Sequence, residues 1–179
     1  MENLKDKRGL IQVYTGNGKG KTTASIGLAI RAISYDFKVC FITFFKPRHI
    51  FEQGQGKILR KLGIDVHNLI PEKLHSYRKQ GFEKGRKRCL ELLSFIKKIF
   101  EKNYDLLILD EMNIILREGY LKDEEILNLL KKKPKELEVV LTGRQASQLL
   151  IERADLVSEI KKIKHPFDEG IKERKGIDG

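Results

Sequence analysis

The stretch Leu10-Ile11-Gln12-Val13-Tyr14-Thr15-Gly16-Asn17-Gly18-Lys19-Gly20-Lys21-Thr22-Thr23 decides how this chain of 179 residues is read. An apolar strand enters a glycine-rich loop, and the loop enters a helical pattern carried by Ala24, Ile26, Leu28, Ala29, Ala32 and Ile33. Glycines let backbone N–H groups turn inward around phosphate oxygens, and the helix that follows points its positive end at them. In that setting Lys21 reaches the outer phosphates, and the Thr22 hydroxyl holds a Mg²⁺ (or Mn²⁺) ion. The expected ligand is a nucleoside triphosphate, cradled by Gly16, Asn17, Gly18, Lys19, Gly20, Lys21, Thr22 and Thr23. Lys21 is expected to face solvent.

The spacing is not the usual one. The common loop has a glycine five residues before the Gly-Lys-Thr glycine. Here that position is Thr15, and the first glycine, Gly16, comes one residue late. The loop is therefore shorter between its glycines, which suggests a subgroup that holds its nucleotide unusually. A strand–helix turn without a ligand is the bland alternative. It is disfavoured because strand, loop, Lys-Thr pair and helix all agree with the motif's required context.

Working outward, strand and helix patterns alternate. Strands are expected at Leu10 to Thr15, Val39 to Phe45, Ile64 to Leu69, Leu106 to Leu109, Leu137 to Leu141 and Leu156 to Ile160. Helices are expected at Thr22 to Tyr35, at Ile58 to Leu62, in a long stretch through Cys89 to Phe100, at Glu124 to Lys132 behind an Asp123 N-cap, and at Gln145 to Arg153. This order implies an α/β, P-loop NTPase-like fold. Its central sheet is mainly parallel, about six strands wide, with helices on both faces. Residues 1–8 read as a short polar arm, 9–179 as a single domain, and 164–179 as an irregular tail.

Ligands of such sheets sit at the carboxyl ends of the strands, and the remaining candidates fall there. Asp110-Glu111 follows the fourth strand and can hold the metal opposite Thr22. Successive residues point to opposite sides at a strand end, so one of the two carboxylates is expected to face the metal directly. Thr142-Gly143-Arg144 follows the fifth strand, where Arg144 could fork onto a phosphate. Lys19 and Arg31 are further basic candidates for the nucleotide. No Ser/His/Asp nucleophile arrangement and no His/Cys metal spacing is recognisable.

Composition narrows the classes. No apolar stretch approaches the ~18 residues of a membrane helix. Met1 to Arg8 is polar and carries no signal-peptide apolar region, and Cys40 and Cys89 read as buried reduced thiols, so the cytoplasm is expected. The formal net charge is +11. Its basic runs, Arg86-Lys87-Arg88, Lys131-Lys132-Lys133 and Lys161-Lys162, are separate and lack interleaved aromatics. Solvated surface and attraction for a polyphosphate are favoured over nucleic-acid binding.

Taken together, these pieces resemble the P-loop ATP:corrinoid adenosyltransferases of cobalamin biosynthesis. The resemblance rests on Tyr14 to Thr23, Thr43-Phe44-Phe45-Lys46, Leu109-Asp110-Glu111, Val140-Leu141-Thr142-Gly143-Arg144, Ala154-Asp155-Leu156-Val157 and Lys164-His165-Pro166-Phe167-Asp168. It implies transfer of the 5′-deoxyadenosyl group of ATP to the Co(I) of a corrinoid, with triphosphate leaving. It further implies Lys21, Thr22 and Glu111 as the catalytic set and Thr22, Asp110 and Glu111 at the metal. A homodimer and a flavin-type reductase supplying electrons come with the family. Members commonly carry a Phe-Thr-Trp segment near the corrinoid. This chain has no Trp, and His75-Ser76-Tyr77 aligns there, making His75 and Tyr77 the corrinoid candidates. A P-loop ATPase or kinase cleaving at the γ-phosphate, and an ATP-dependent nucleic-acid-binding module, are the alternatives from the residues alone.

Overall fold

Why a chain with no membrane-length apolar run has wholly apolar strands becomes plain from its sheet. The structure, a computed structural model, describes residues 8–70, 82–172 and 174–177. In chain order the elements are β1 (Ile11–Thr15), α1 (Lys21–Ile33), β2 (Val39–Phe44), α2 (Arg48–Gln53), α3 (Gln55–Lys61), β3 (Asp65–Ile70), α4 (Phe82–Phe100), β4 (Leu106–Asp110), α5 (Met112–Arg117), α6 (Asp123–Leu130), β5 (Glu138–Thr142), α7 (Gln148–Arg153) and β6 (Leu156–Glu159). All strand pairs are parallel, in the order β3-β2-β4-β5-β1-β6. Parallel strands need crossovers, and the crossover helices cover both faces, so central strands must be apolar on both sides. β2 and β4 are buried at every position.

Side-chain alternation sorts each strand between two cores. Val39, Phe41, Leu106, Ile108 and Val140 pack with Ala29 and Ala32 of α1 and Leu59 of α3. Cys40, Ile42, Leu107, Leu109, Val139 and Leu141 pack with Cys89, Leu92 and Ile96 of α4 and with α5, α6 and α7. Both cysteines are buried and unbridged. β5 separates the loop-bearing β1 from the acidic β4.

Three differences from the sequence expectation have local causes. α2 and α5 are six residues each, too short for a 3.6-residue period to be visible. Asp123 is the first helical residue and not the cap; its carboxylate accepts from Ser147 Oγ at 2.6 Å. Ser147 in turn caps α7 by accepting from Leu150 N–H at 3.2 Å, so that helix starts at Gln148 and not Gln145. Within the basic run 86–88, Arg86 is bound in the fold. It forks onto both oxygens of Glu125 at 2.6 Å and onto the Tyr120 carbonyl at 2.8 Å, tying α4 to α6.

Candidate functional site

Two glycines of the loop adopt backbone angles closed to other residues, Gly16 with φ +98° and Gly20 with φ +123°. A second constraint comes from the chain leaving β6. Ile160 N–H donates to Thr15 O at 2.9 Å, and Gly18 N–H donates to Ile160 O at 2.7 Å. A Cβ on Gly16 or Gly18 would meet that Ile160 oxygen at 2.5 or 2.7 Å. The segment after β6 is thus pressed onto the loop, and the Gly18 amide is directed to it, away from the inward-facing set the sequence suggests. Asn17, Lys19 and Thr23 are exposed.

Lys21 departs from expectation. Its side chain does not face solvent: the residue is only 8% exposed, and its Nζ donates to the carbonyls of Gly16 and Gly18, both at 2.7 Å. Burial, and secondarily the nearby Arg144 guanidinium, hold its pKa below the usual lysine value, with Glu111 and Asp110 opposing. The ammonium is thus desolvated and held against the loop by two of the loop's own carbonyls.

The carboxyl edge of the sheet presents a polar row. Asp110, Thr142 and Thr15 end the strands β4, β5 and β1, Thr43 stands one residue before the end of β2, and all four are buried. Asp110 is in phase with Leu106 and Ile108, so it points to the α1 face, where Thr22 lies in the first turn of that helix. Its Oδ1 accepts from Thr22 Oγ1 at 2.8 Å and from Thr142 Oγ1 at 2.7 Å, and its Oδ2 accepts from Thr43 Oγ1 at 3.2 Å. A buried carboxylate needs such donors, since an unpaired one would bear the full desolvation cost.

Glu111 is aimed differently. It takes φ +69°, a left-handed conformation that a non-glycine residue rarely adopts, and its N–H donates to Thr142 Oγ1 at 3.0 Å. Backbone strain of this kind costs of order 1–3 kcal/mol and gathers at functional sites. Its Oε2 is buried without a hydrogen-bond partner. Burial, then the neighbouring Asp110 charge, raise the Glu111 pKa, while Lys46, Lys21 and Arg144 pull it down. The oxygens of Thr22, Asp110 and Glu111 form a hard donor set suited to Mg²⁺, and the orphaned Oε2 is an acceptor ready for it.

The raised Glu111 pKa has a measurable consequence. The folded chain binds this proton more tightly than the unfolded one, so ionising Glu111 destabilises the fold above its folded pKa. That penalty disappears as pH falls below the unfolded value of about 4.3. Glu111→Gln is therefore expected to melt higher than the parent chain at neutral pH in magnesium-free buffer, with the gap closing near pH ~4. Thermal unfolding across that range checks it, and a lower melting point for the variant at neutral pH would contradict the burial of this carboxylate.

The other sequence candidates divide. Arg144 is exposed but lies close enough to Lys21 and Glu111 to shift both. Arg31 is in the last turn of α1, about 15 Å along the helix from Lys21, so the fold does not bring it to the loop. His75 and Tyr77 lie outside the described residues. Thr43, Thr142 and Asn113 escape sequence reading as site residues. Asn113 Nδ2 donates to Gly143 O at 3.0 Å, and a Cβ on Gly143, at φ +135°, would meet Asn113 Cβ at 2.9 Å. The two threonines carried one usable signal: each is the last polar residue of an apolar strand, in phase with the Asp110 face.

The family described as ATP:corrinoid adenosyltransferase BtuR/CobO/CobP matches residues 7–178. A corrinoid adenosyltransferase of Escherichia coli K12 is 34% identical over 97% of this chain and 87% of its own length. One from Sinorhizobium sp. is 36% identical over 97% of this chain and 81% of its own. Among solved structures, the flagellar accessory protein FlaH from Methanocaldococcus jannaschii matches with a TM-score of 0.56 at 13% identity. The match covers 84% of this chain and 70% of that one. That last likeness concerns the fold alone, which is α/β and P-loop NTPase-like.

Proposed function

This chain belongs to the ATP:corrinoid adenosyltransferase family BtuR/CobO/CobP, and from that premise we propose how its residues divide the work. The reaction transfers the 5′-deoxyadenosyl group of ATP to the Co(I) of a corrinoid, forming a cobalt–carbon bond and releasing triphosphate. Reduced cobalt is itself a strong nucleophile and arrives with its cofactor-like substrate, so the protein need supply no base. What remains is alignment of two substrates and stabilisation of a polyanionic leaving group.

The loop Gly16 to Thr23 takes the triphosphate. Lys21, inside the cradle, neutralises charge as triphosphate leaves, helped by Lys19 and Arg144 at the exposed rim. Thr22, Asp110 and Glu111 would hold Mg²⁺, which adds positive charge beside the same phosphates. Thr43 and Thr142 orient Asp110, and Thr142 also fixes the Glu111 backbone. His75 and Tyr77 remain the candidates for the corrinoid face. The observation that carries these roles is the 2.8 Å bond from Thr22 Oγ1 to Asp110 Oδ1, which joins loop and acidic strand across 88 residues of sequence. To this reading belong a cytoplasmic homodimer and a flavin-type reductase as electron source.

The test is incubation with ATP, Mg²⁺ and a chemically reduced corrinoid. Optical spectra follow the cobalt–carbon bond, and phosphorus resonance identifies the product. Equal yields of alkylated corrinoid and intact triphosphate are expected, with both lost in Thr22→Ala. Formation of ADP instead would assign the loop to γ-phosphate chemistry and overturn the reading.

A further inference from the structure

At the sheet edge opposite β6, three side chains of different chemistry meet. Cys40 of β2 stands in register with Asp65 of β3, and Ile42 with His67. Alternation puts Cys40, Asp65 and His67 on the face covered by α4. The Cys40 sulfur, a carboxylate oxygen of Asp65 and a ring nitrogen of His67 all lie within 4.8 Å of one another. Cys40 is fully buried, whereas the side chains of Asp65 and His67 are 39% and 25% exposed, so the cluster opens to solvent on their side.

The contacts within the cluster are not those of a closed hydrogen-bond network. His67 Nε2 lies 3.1 Å from Asp65 Oδ1, yet this buried nitrogen has no aligned hydrogen-bond partner. The two atoms can pair with each other, and at 3.1 Å they are also spaced as co-ligands of one cation would be. Surrounding groups fix both. Asp65 Oδ2 accepts from the Tyr104 hydroxyl, and the His67 ring stands edge-on to Phe95 of α4 at 5.0 Å and 71°. Contacts of this kind orient metal ligands and set their basicity.

We propose that Cys40, Asp65 and His67 bind one Zn²⁺ ion, with solvent at the fourth position. Thiolate, imidazole and carboxylate together make a zinc donor set, while Mg²⁺ and Ca²⁺ favour oxygen alone. The site is separate from the nucleotide site: β2 stands between β3 and the acidic strand β4. Its ion would join the edge strand β3 to β2, just before the segment that carries His75 and Tyr77. Burial pushes the Cys40 thiol up to about 12, so uptake must displace a proton and strengthens as pH rises.

The experiment strips the full chain with a chelator, then titrates it with Zn²⁺ and, separately, Co²⁺. Excess Mg²⁺ is present to occupy the loop site. One equivalent of either ion is expected to bind, with a melting temperature raised by several degrees for Zn²⁺. Bound Co²⁺ should show an intense near-ultraviolet sulfur-to-metal charge-transfer band. Cys40→Ser should abolish that band, and Cys89→Ser should leave it. His67→Gln, at a partly exposed position that spares the core, should weaken Zn²⁺ binding by about tenfold or more. A Co²⁺-loaded chain without the band, a band that survives Cys40→Ser, or undiminished affinity in His67→Gln would each overturn the assignment.

Discussion

Lys21→Met is expected to lower kcat/KM for adenosyl transfer by about a thousandfold or more while the chain remains folded. A single donor to a developing anion is worth about 10²–10³ in rate, and Lys21 brings a full charge to a desolvated place beside a polyanion. Met keeps the hydrophobic stem that makes the residue 8% exposed. It removes an ammonium that burial already disfavours, and it leaves the carbonyls of Gly16 and Gly18 without their 2.7 Å donor. The first change favours the folded state and the second opposes it, so melting should move by only a few degrees. Steady-state kinetics and calorimetric ATP binding on the same preparation check both halves. Activity within tenfold of the parent chain would remove Lys21 from the reaction.

The buried place of Lys21 differs from the solvent-facing one that the sequence leads one to expect. A Gly-Lys-Thr loop says which residue carries the charge, because the chemistry needs it. It says nothing of where the side chain rests, because that depends on carbonyls placed by the shape of the loop. The glycines tell a similar story. Their presence is legible as freedom to turn. The reason Gly18 is glycine is the Ile160 carbonyl, brought to it across 142 residues by pairing of β6 with β1. No local pattern carries that contact.

The sheet was legible because burial on both faces writes itself into consecutive apolar residues, as in Leu106 to Leu109. The short helices α2 and α5 were not, since each is under two turns; α5 buries Met112, Ile115 and Leu116, but three apolar positions in six residues set no clear period. Capping was half legible. An acidic residue before α6 was visible, but which partner Asp123 would serve depended on Ser147 of another helix. At the site, Asp110 and Glu111 could be seen to diverge, since neighbours at a strand end point apart. Which one faces Thr22 follows from strand phase once the α1 face is known: Asp110 falls in step with Leu106 and Ile108.

Asp110→Asn is expected to cost both stability and activity, because three hydroxyls depend on one carboxylate. Thr142 already accepts from Glu111 N–H at 3.0 Å, so its own proton must go to Asp110, 2.7 Å away. Thr22 donates to the same oxygen, and Thr43 to the other. An amide offers one acceptor oxygen and one NH₂ group. Whichever way it turns, at least one buried hydroxyl faces a donor. Each buried group left unsatisfied costs about 1–3 kcal/mol, so a loss in that range is expected, or a drop in melting temperature of roughly 2–12 °C. Transfer should fall by about a hundredfold or more, since Thr22 and the Glu111 backbone are held through the same oxygen. When the amide oxygen keeps Thr22 and Thr142, the NH₂ group faces Thr43, so Thr43→Val removes the stranded hydroxyl in advance. The double variant should therefore lose less stability than the two single losses added together, by at least about 0.5 kcal/mol. Strictly additive losses, or an Asn variant that melts with the parent chain, would mean that Asp110 is not the centre that holds the carboxyl edge of this sheet together.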